Sequence, residues 1–115
     1  MSNQKFQNCI DACEACAEVC TACAAECKGK PGMEECEKLC LACAEACRKC
    51  AELCKSMDPN SEESADECAK ACRECEEACR KCAEECEKHP ENETCRKCAE
   101  ACRKCETECE EWNRM

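Results

Sequence analysis

The sequence predicts an all-α protein, an antiparallel up-down-up-down four-helix bundle with a cysteine-lined core. Twenty-three of the 115 residues are cysteine. They recur at alternating steps of three and four residues, the spacing of the inward-facing a and d positions of a helical heptad. Short segments containing Pro separate the four runs, and loops this short join antiparallel neighbours.

Each predicted helix supplies one inward row of thiols, and these thiols are the candidate metal ligands. The four rows are Cys9, Cys13, Cys16, Cys20, Cys23 and Cys27; Cys36, Cys40, Cys43, Cys47, Cys50 and Cys54; Cys68, Cys72, Cys75, Cys79, Cys82 and Cys86; and Cys95, Cys98, Cys102, Cys105 and Cys109. Thiolates are soft ligands, so the core itself is the expected functional site.

The first two helices are bounded by glycine and proline. We expect helix one over about residues 3–28, because Gly29 can adopt the left-handed C-cap conformation and Pro31 prevents continuation. Helix two is expected over about residues 34–56, before the turn that contains Pro59.

The last two helices begin at polar caps. Helix three is expected over about residues 62–88, with Ser61 as its N-cap. Helix four is expected over about residues 92–113, with Asn92 or His89 as its cap.

Length and composition narrow the class of protein. A chain of 115 residues suits one domain over residues 1–115, and 2 Gly and 3 Pro are too few for a loop-rich disulfide scaffold. We see no secretory leader and no apolar run near membrane-spanning length, so a cytoplasmic location without membrane contact is expected. A net charge of −10 argues against binding nucleic acid or anionic membranes.

The antiparallel register predicts six flat levels of four places. They are Cys9, Cys54, Cys68 and Cys109; Cys13, Cys50, Cys72 and Cys105; Cys16, Cys47, Cys75 and Cys102; Cys20, Cys43, Cys79 and Cys98; Cys23, Cys40, Cys82 and Cys95; and Cys27, Cys36 and Cys86 with Glu91.

Charge balance favours copper(I) over zinc in such a column. A zinc ion with four thiolates keeps two negative charges, and stacking such sites in a dry core is unfavourable. Copper(I) accepts two or three thiolates that can bridge, so roughly one ion per cysteine leaves the core near neutral. The predicted function is therefore storage or sequestration of multiple copper(I) ions.

Other interpretations stay open at this point. A general zinc or cadmium thiolate buffer is one, and a structural bundle packed with cysteine is another. Disulfides are disfavoured because neighbouring sulfurs on one helix lack relaxed disulfide geometry, and iron–sulfur clusters prefer separate groups of loop-borne cysteines. An enzyme is not expected, since no nucleophile has an arranged base.

The two ends of the predicted bundle differ. Extending the heptads by one step places Phe6, Met57, Ala65 and Trp112 at one end, which resembles an apolar plug.

The opposite end carries groups that can bind a soft ion. The same extension places Lys30, Met33 and His89 there, with Glu91 just inside. A thioether and an imidazole are ligands for copper, so Met33 and His89 are candidate metal ligands at the expected entrance.

Residues 5–16 and 95–105 resemble the bacterial cysteine-rich four-helix copper storage proteins, particularly the cytosolic kind. The resemblance covers nearly the whole chain. It implies a bundle filled with copper(I) through inward cysteines, loaded by copper donors at one end through His or Met, and often assembled as a homo-oligomer. A more complete cysteine seam, a single His and a repetitive Glu/Lys/Arg surface depart from that pattern and would suit an engineered or idealised member.

Overall fold

The computed structural model describes the backbone of residues 2–57 and 60–113 and the side chains of residues 7–57 and 60–111. Its elements are four helices: α1 (Ser2–Cys27), α2 (Glu34–Lys55), α3 (Glu62–Glu87) and α4 (Glu93–Asn113). Consecutive helices pack side by side and α4 closes the ring against α1, so α1 faces α3, and α2 faces α4, across the core. The predicted four-helix architecture is confirmed in an elongated bundle of 49 × 20 × 17 Å.

The first three helices each end one residue earlier than the sequence suggested. Their last residues are Cys27, Lys55 and Glu87, because the chain turns immediately afterwards. Gly29 follows α1 with a φ of +79°, the left-handed conformation expected for it.

Two polar side chains cap helices as predicted. The Ser61 hydroxyl accepts the backbone N–H three residues ahead at 3.2 Å, at the start of α3. The Asn92 side-chain oxygen accepts the Cys95 backbone N–H at 3.1 Å. Asn92 therefore lies before α4, which begins at Glu93 instead of residue 92, and His89 is not the cap.

The core consists almost entirely of cysteine and alanine. All 23 cysteines have at most 1% of their surface exposed, and Ile10 is the sole larger aliphatic side chain buried among the described residues. No charged or polar side chain is buried within this described part of the chain. None of the four helices, as far as they are described, is long and apolar enough to cross a lipid bilayer.

Candidate metal centre

The sulfurs of α2 and α3 form a row of six cross-helix pairs. Their Sγ–Sγ distances are 3.8 Å for Cys36–Cys86, 3.6 Å for Cys40–Cys82, 3.6 Å for Cys43–Cys79, 3.5 Å for Cys47–Cys75, 3.2 Å for Cys50–Cys72 and 2.7 Å for Cys54–Cys68. These are the partners that antiparallel packing predicts for this helix pair. The spacing narrows steadily toward the turn that joins the two helices.

The sulfurs of α1 and α4 form a second row of pairs. The distances are 3.7 Å for Cys9–Cys109, 3.6 Å for Cys13–Cys105, 3.7 Å for Cys16–Cys102, 3.6 Å for Cys20–Cys98 and 3.9 Å for Cys23–Cys95. This pairing also follows the register read from the sequence.

The prediction of flat four-sulfur levels is wrong, because the two rows are staggered. Across the diagonals, Cys9 meets Cys72 at 3.9 Å instead of Cys68, and Cys47 meets Cys105 at 3.9 Å instead of Cys102. The same offset recurs at Cys13–Cys75, Cys16–Cys79, Cys43–Cys102 and Cys40–Cys98, all within 3.9 Å. Side chains of packed helices interdigitate instead of meeting head-on, so each sulfur fits between two levels of the opposite row.

The stagger gives four-sulfur groups that share members. Five groups whose sulfurs all lie within 4.8 Å of one another are Cys9/Cys50/Cys72/Cys109, Cys13/Cys50/Cys75/Cys109, Cys16/Cys43/Cys79/Cys102, Cys16/Cys47/Cys79/Cys105 and Cys20/Cys82/Cys98/Cys102. Five cysteines each belong to two of these groups: Cys16, Cys50, Cys79, Cys102 and Cys109. The site is therefore one continuous column in which thiolates are placed to bridge neighbouring ions.

Sulfur spacing alone does not select the metal. Tetrahedral zinc with Zn–S bonds of about 2.3 Å needs sulfurs about 3.8 Å apart, close to many of the observed distances. Ligand sharing distinguishes the metals better, because separate zinc sites each need four thiolates of their own, whereas copper(I) thiolate chemistry uses bridging sulfur.

Burial and mutual hydrogen bonding set the protonation of the thiols. Loss of hydration raises the pKa of Cys95 to about 12, and the nearby Cys23 sulfur adds to this effect. Burial is also the main cause that raises the pKa of Cys27 and of Cys36. At the other end of the column, a hydrogen bond with the Cys54 thiol lowers the pKa of Cys68. Cys27, Cys36 and Cys95, near the expected entrance, are therefore protonated at neutral pH, and a bound metal ion must displace those protons.

The expected entrance contains Met33 and His89 in different environments. Met33 is half-buried and packs against the cysteine core. The His89 ring has 19% of its side chain exposed, and its Nε2 lies 3.4 Å from a carboxylate oxygen of Glu85. This contact with Glu85 was not predicted from the sequence. The position of Glu85 one helical turn before His89 could have indicated the contact, because residues four apart on a helix are neighbours.

The predicted sixth level, which lies at this end, is wrong about its fourth member, Glu91. Glu91 is exposed, in the turn before α4, and does not occupy a core place beside the thiols. Its carboxylate stays in water because burying an unpaired charge in the thiol core is unfavourable. Lys30 is likewise exposed.

The opposite end is described only in part. Met57 is half-buried and packs against the core, and Ala65 is half-buried. The Phe6 and Trp112 side chains lie outside the described residues, so the expected apolar plug remains a prediction.

Comparison with known proteins identifies the family. The profile of the copper storage protein family matches residues 2–114. This chain belongs to the copper storage protein family. The matched residues include every cysteine of the column. The family's function, copper storage, confirms the function predicted from the sequence.

Solved structures of another family member support the same assignment. A cytosolic copper storage protein from Streptomyces lividans, captured during copper loading with five coppers, is 31% identical with a TM-score of 0.91, covering 99% of this chain and 96% of that chain. Its form loaded with 10 copper equivalents is 32% identical with a TM-score of 0.89, covering 96% and 85%. No curated protein matches the chain significantly.

Proposed function

We propose that the chain stores copper as copper(I) along the whole staggered column, to a capacity of roughly one ion per cysteine. The observation that carries this proposal is the sharing of sulfurs between overlapping four-sulfur groups. Shared thiolates bridge ions, and each copper(I) cancels one thiolate charge in a core where none of the described residues is a buried cation. In this proposal all 115 residues act as one storage domain, with copper as cargo and no turnover.

Anaerobic titration of the reduced protein with copper(I), and separately with zinc, tests the capacity. We expect copper(I) to be withheld from a chromophoric chelator well beyond one ion per two cysteines, approaching one per cysteine. Saturation by copper(I) at only a few ions would overturn the proposal. Zinc uptake should stop near one ion per four cysteines, since each zinc needs four thiolates.

We further propose that copper enters past Met33 and His89, delivered by a copper donor. Their thioether and imidazole are potential copper ligands at one end of the column. Among the described residues, no bulky aliphatic side chain is buried at that end. Replacing both residues by Ala should slow copper uptake from a competing chelate and leave final capacity nearly unchanged, because neither residue belongs to the thiol column. Uptake by the double variant at the original rate would contradict this entrance. Met57→Ala, at the opposite end, is the matched control and should load normally.

A further inference from the structure

The closest sulfur contact in the bundle lies at the end opposite Met33 and His89. Cys54 and Cys68 are 2.7 Å apart, whereas every other described sulfur contact lies between 3.2 and 4.0 Å. Both residues are fully buried, and they are the last cysteines of their rows at this end of the bundle. The steady narrowing of the α2–α3 row reaches its minimum here, so the short contact continues a trend along two helices.

We propose that Cys54 and Cys68 form a peroxide-sensitive dithiol that closes to a reversible disulfide and removes two thiolates from the column. A disulfide has an S–S bond of about 2.05 Å, so these sulfurs need to approach by only about 0.7 Å. The cysteines lie on different helices and are 14 positions apart in sequence. The obstacle that applies to neighbouring cysteines on one helix is therefore absent for this pair.

The chemistry requires one peroxide molecule for each disulfide. One thiol of the pair loses its proton, and the resulting thiolate attacks a peroxide oxygen. The S–O bond forms, the O–O bond breaks, and the sulfur becomes a sulfenic acid. The hydroxide that leaves takes up the proton released by the thiol and becomes the first water. The second sulfur then attacks the sulfenic sulfur, the S–S bond forms, the S–O bond breaks, and the second thiol proton leaves in another water. Two thiols and one peroxide thus become one disulfide and two waters, with both sulfurs oxidised and both peroxide oxygens reduced.

Mass spectrometry of the metal-free reduced chain tests the site without using copper. The protein is treated with one equivalent of hydrogen peroxide, quenched with acid, alkylated and digested with trypsin. We expect the first disulfide to join the peptides of residues 50–55 and 56–70, with fragmentation assigning the bond to Cys54 and Cys68, and a thiol reductant to reverse it. A different first pair, or sulfinic acid without a disulfide, would overturn the proposal.

Serine variants at the two ends of the same row provide the matched control. Cys54→Ser should lose the early disulfide, whereas Cys36→Ser should keep it, since Cys36 and Cys86 are 3.8 Å apart. If Cys54→Ser fails to fold by circular dichroism, Cys68→Ser serves in its place. Early disulfide formation at an unchanged rate in folded Cys54→Ser or Cys68→Ser would contradict the assignment.

A copper measurement then connects the dithiol to storage, and this part rests on the proposed function. Oxidised protein should hold about two fewer copper(I) ions than reduced protein, and copper-loaded protein should resist the oxidation. Equal capacity in both forms would overturn the predicted loss of two ligands. Low capacity in the reduced protein would instead contradict the storage proposal and leave the disulfide mapping unaffected.

Discussion

At the scale of single residues, the interior thiols each have several sulfur neighbours. The Cys47 sulfur lies 3.5 Å from that of Cys75, 3.8 Å from Cys79 and 3.9 Å from Cys105. Such a sulfur is placed to serve more than one ion, while its neighbours also contact further sulfurs. Loss of one thiol should therefore affect only the copper ions bound beside it.

We expect Cys47→Ser to lower copper capacity by about one ion and to leave the rest bound, because a hydroxyl is a poor ligand for a soft ion. Metal analysis after anaerobic loading and desalting measures this change. Ala46→Ser introduces the same hydroxyl one residue away and should retain full capacity. Loss of all copper from Cys47→Ser would show that the column binds copper as one cooperative unit.

Met33 and Asn92 occupy corresponding positions, each immediately before a helix, α2 and α4 respectively, but they have different side chains. In both turns the cap position donates its backbone N–H to a carbonyl three residues earlier: Met33 to Lys30 at 3.2 Å, and Asn92 to His89 at 3.1 Å. Asn92 caps its helix with its side chain, whereas Met33 makes no side-chain cap hydrogen bond. Methionine at this position forgoes a stabilising cap, which is consistent with a functional thioether at the entrance.

Met33→Asn should consequently stabilise the metal-free protein by about 1 kcal/mol and slow copper uptake. Urea unfolding measures the first effect, and competition with a copper(I) chelator measures the second. Met33→Ala separates the effect on stability from the effect on uptake, since it removes the thioether without supplying a cap. Uptake at the original rate in both variants would show that the thioether has no role in loading.

At the scale of the helices, secondary structure depends little on what fills the core. Outside the cysteine rows the helices are rich in Ala, Glu, Lys and Arg, which favour helix in most surroundings. Ion pairs between helices add a small amount, such as the paired contacts of Arg103 with Glu87 at 2.9 and 3.1 Å across α3 and α4.

We therefore expect the reduced, metal-free chain to be largely helical by far-ultraviolet circular dichroism. Copper should add little helical signal, because the helix-favouring residues outside the cysteine rows do not depend on what fills the core. A coil-like spectrum before copper addition would contradict this expectation and would mean that metal drives folding, as it does in zinc fingers.

At the scale of the whole molecule, stability and cargo are connected through the same core. Cysteine is a small apolar side chain, and larger aliphatics contribute little to this interior, so the metal-free bundle should have modest stability. In the proposed function copper binds the folded arrangement of thiols, and a ligand that binds the folded state shifts the unfolding equilibrium toward it.

Melting temperature should accordingly rise as copper(I) is added, and continue rising until the column is full. Calorimetry under anaerobic conditions at several copper-to-protein ratios measures the trend. A melting temperature that does not change with loading would indicate binding outside the core. Zinc at the same ratios is the comparison metal and should reach its plateau at lower occupancy.

The sequence by itself determined the helices, their order and the inward face of each. The three- and four-residue steps between cysteines place them on one side of a helix whatever surrounds it, and Gly29, Ser61 and Asn92 mark helix ends through local hydrogen bonding and backbone conformation. Pairing within α2–α3 and within α1–α4 also followed from antiparallel packing.

Only the tertiary structure decided how the two rows of pairs fit together. The offset that places Cys9 beside Cys72, and Cys47 beside Cys105, comes from side chains of distant segments filling the gaps between one another. The contact between His89 and Glu85, and the exposure of Glu91, likewise depend on how the turns lie against the bundle end. Heptad spacing describes each helix separately, and it carries no information on the axial offset between helices, which packing in three dimensions sets.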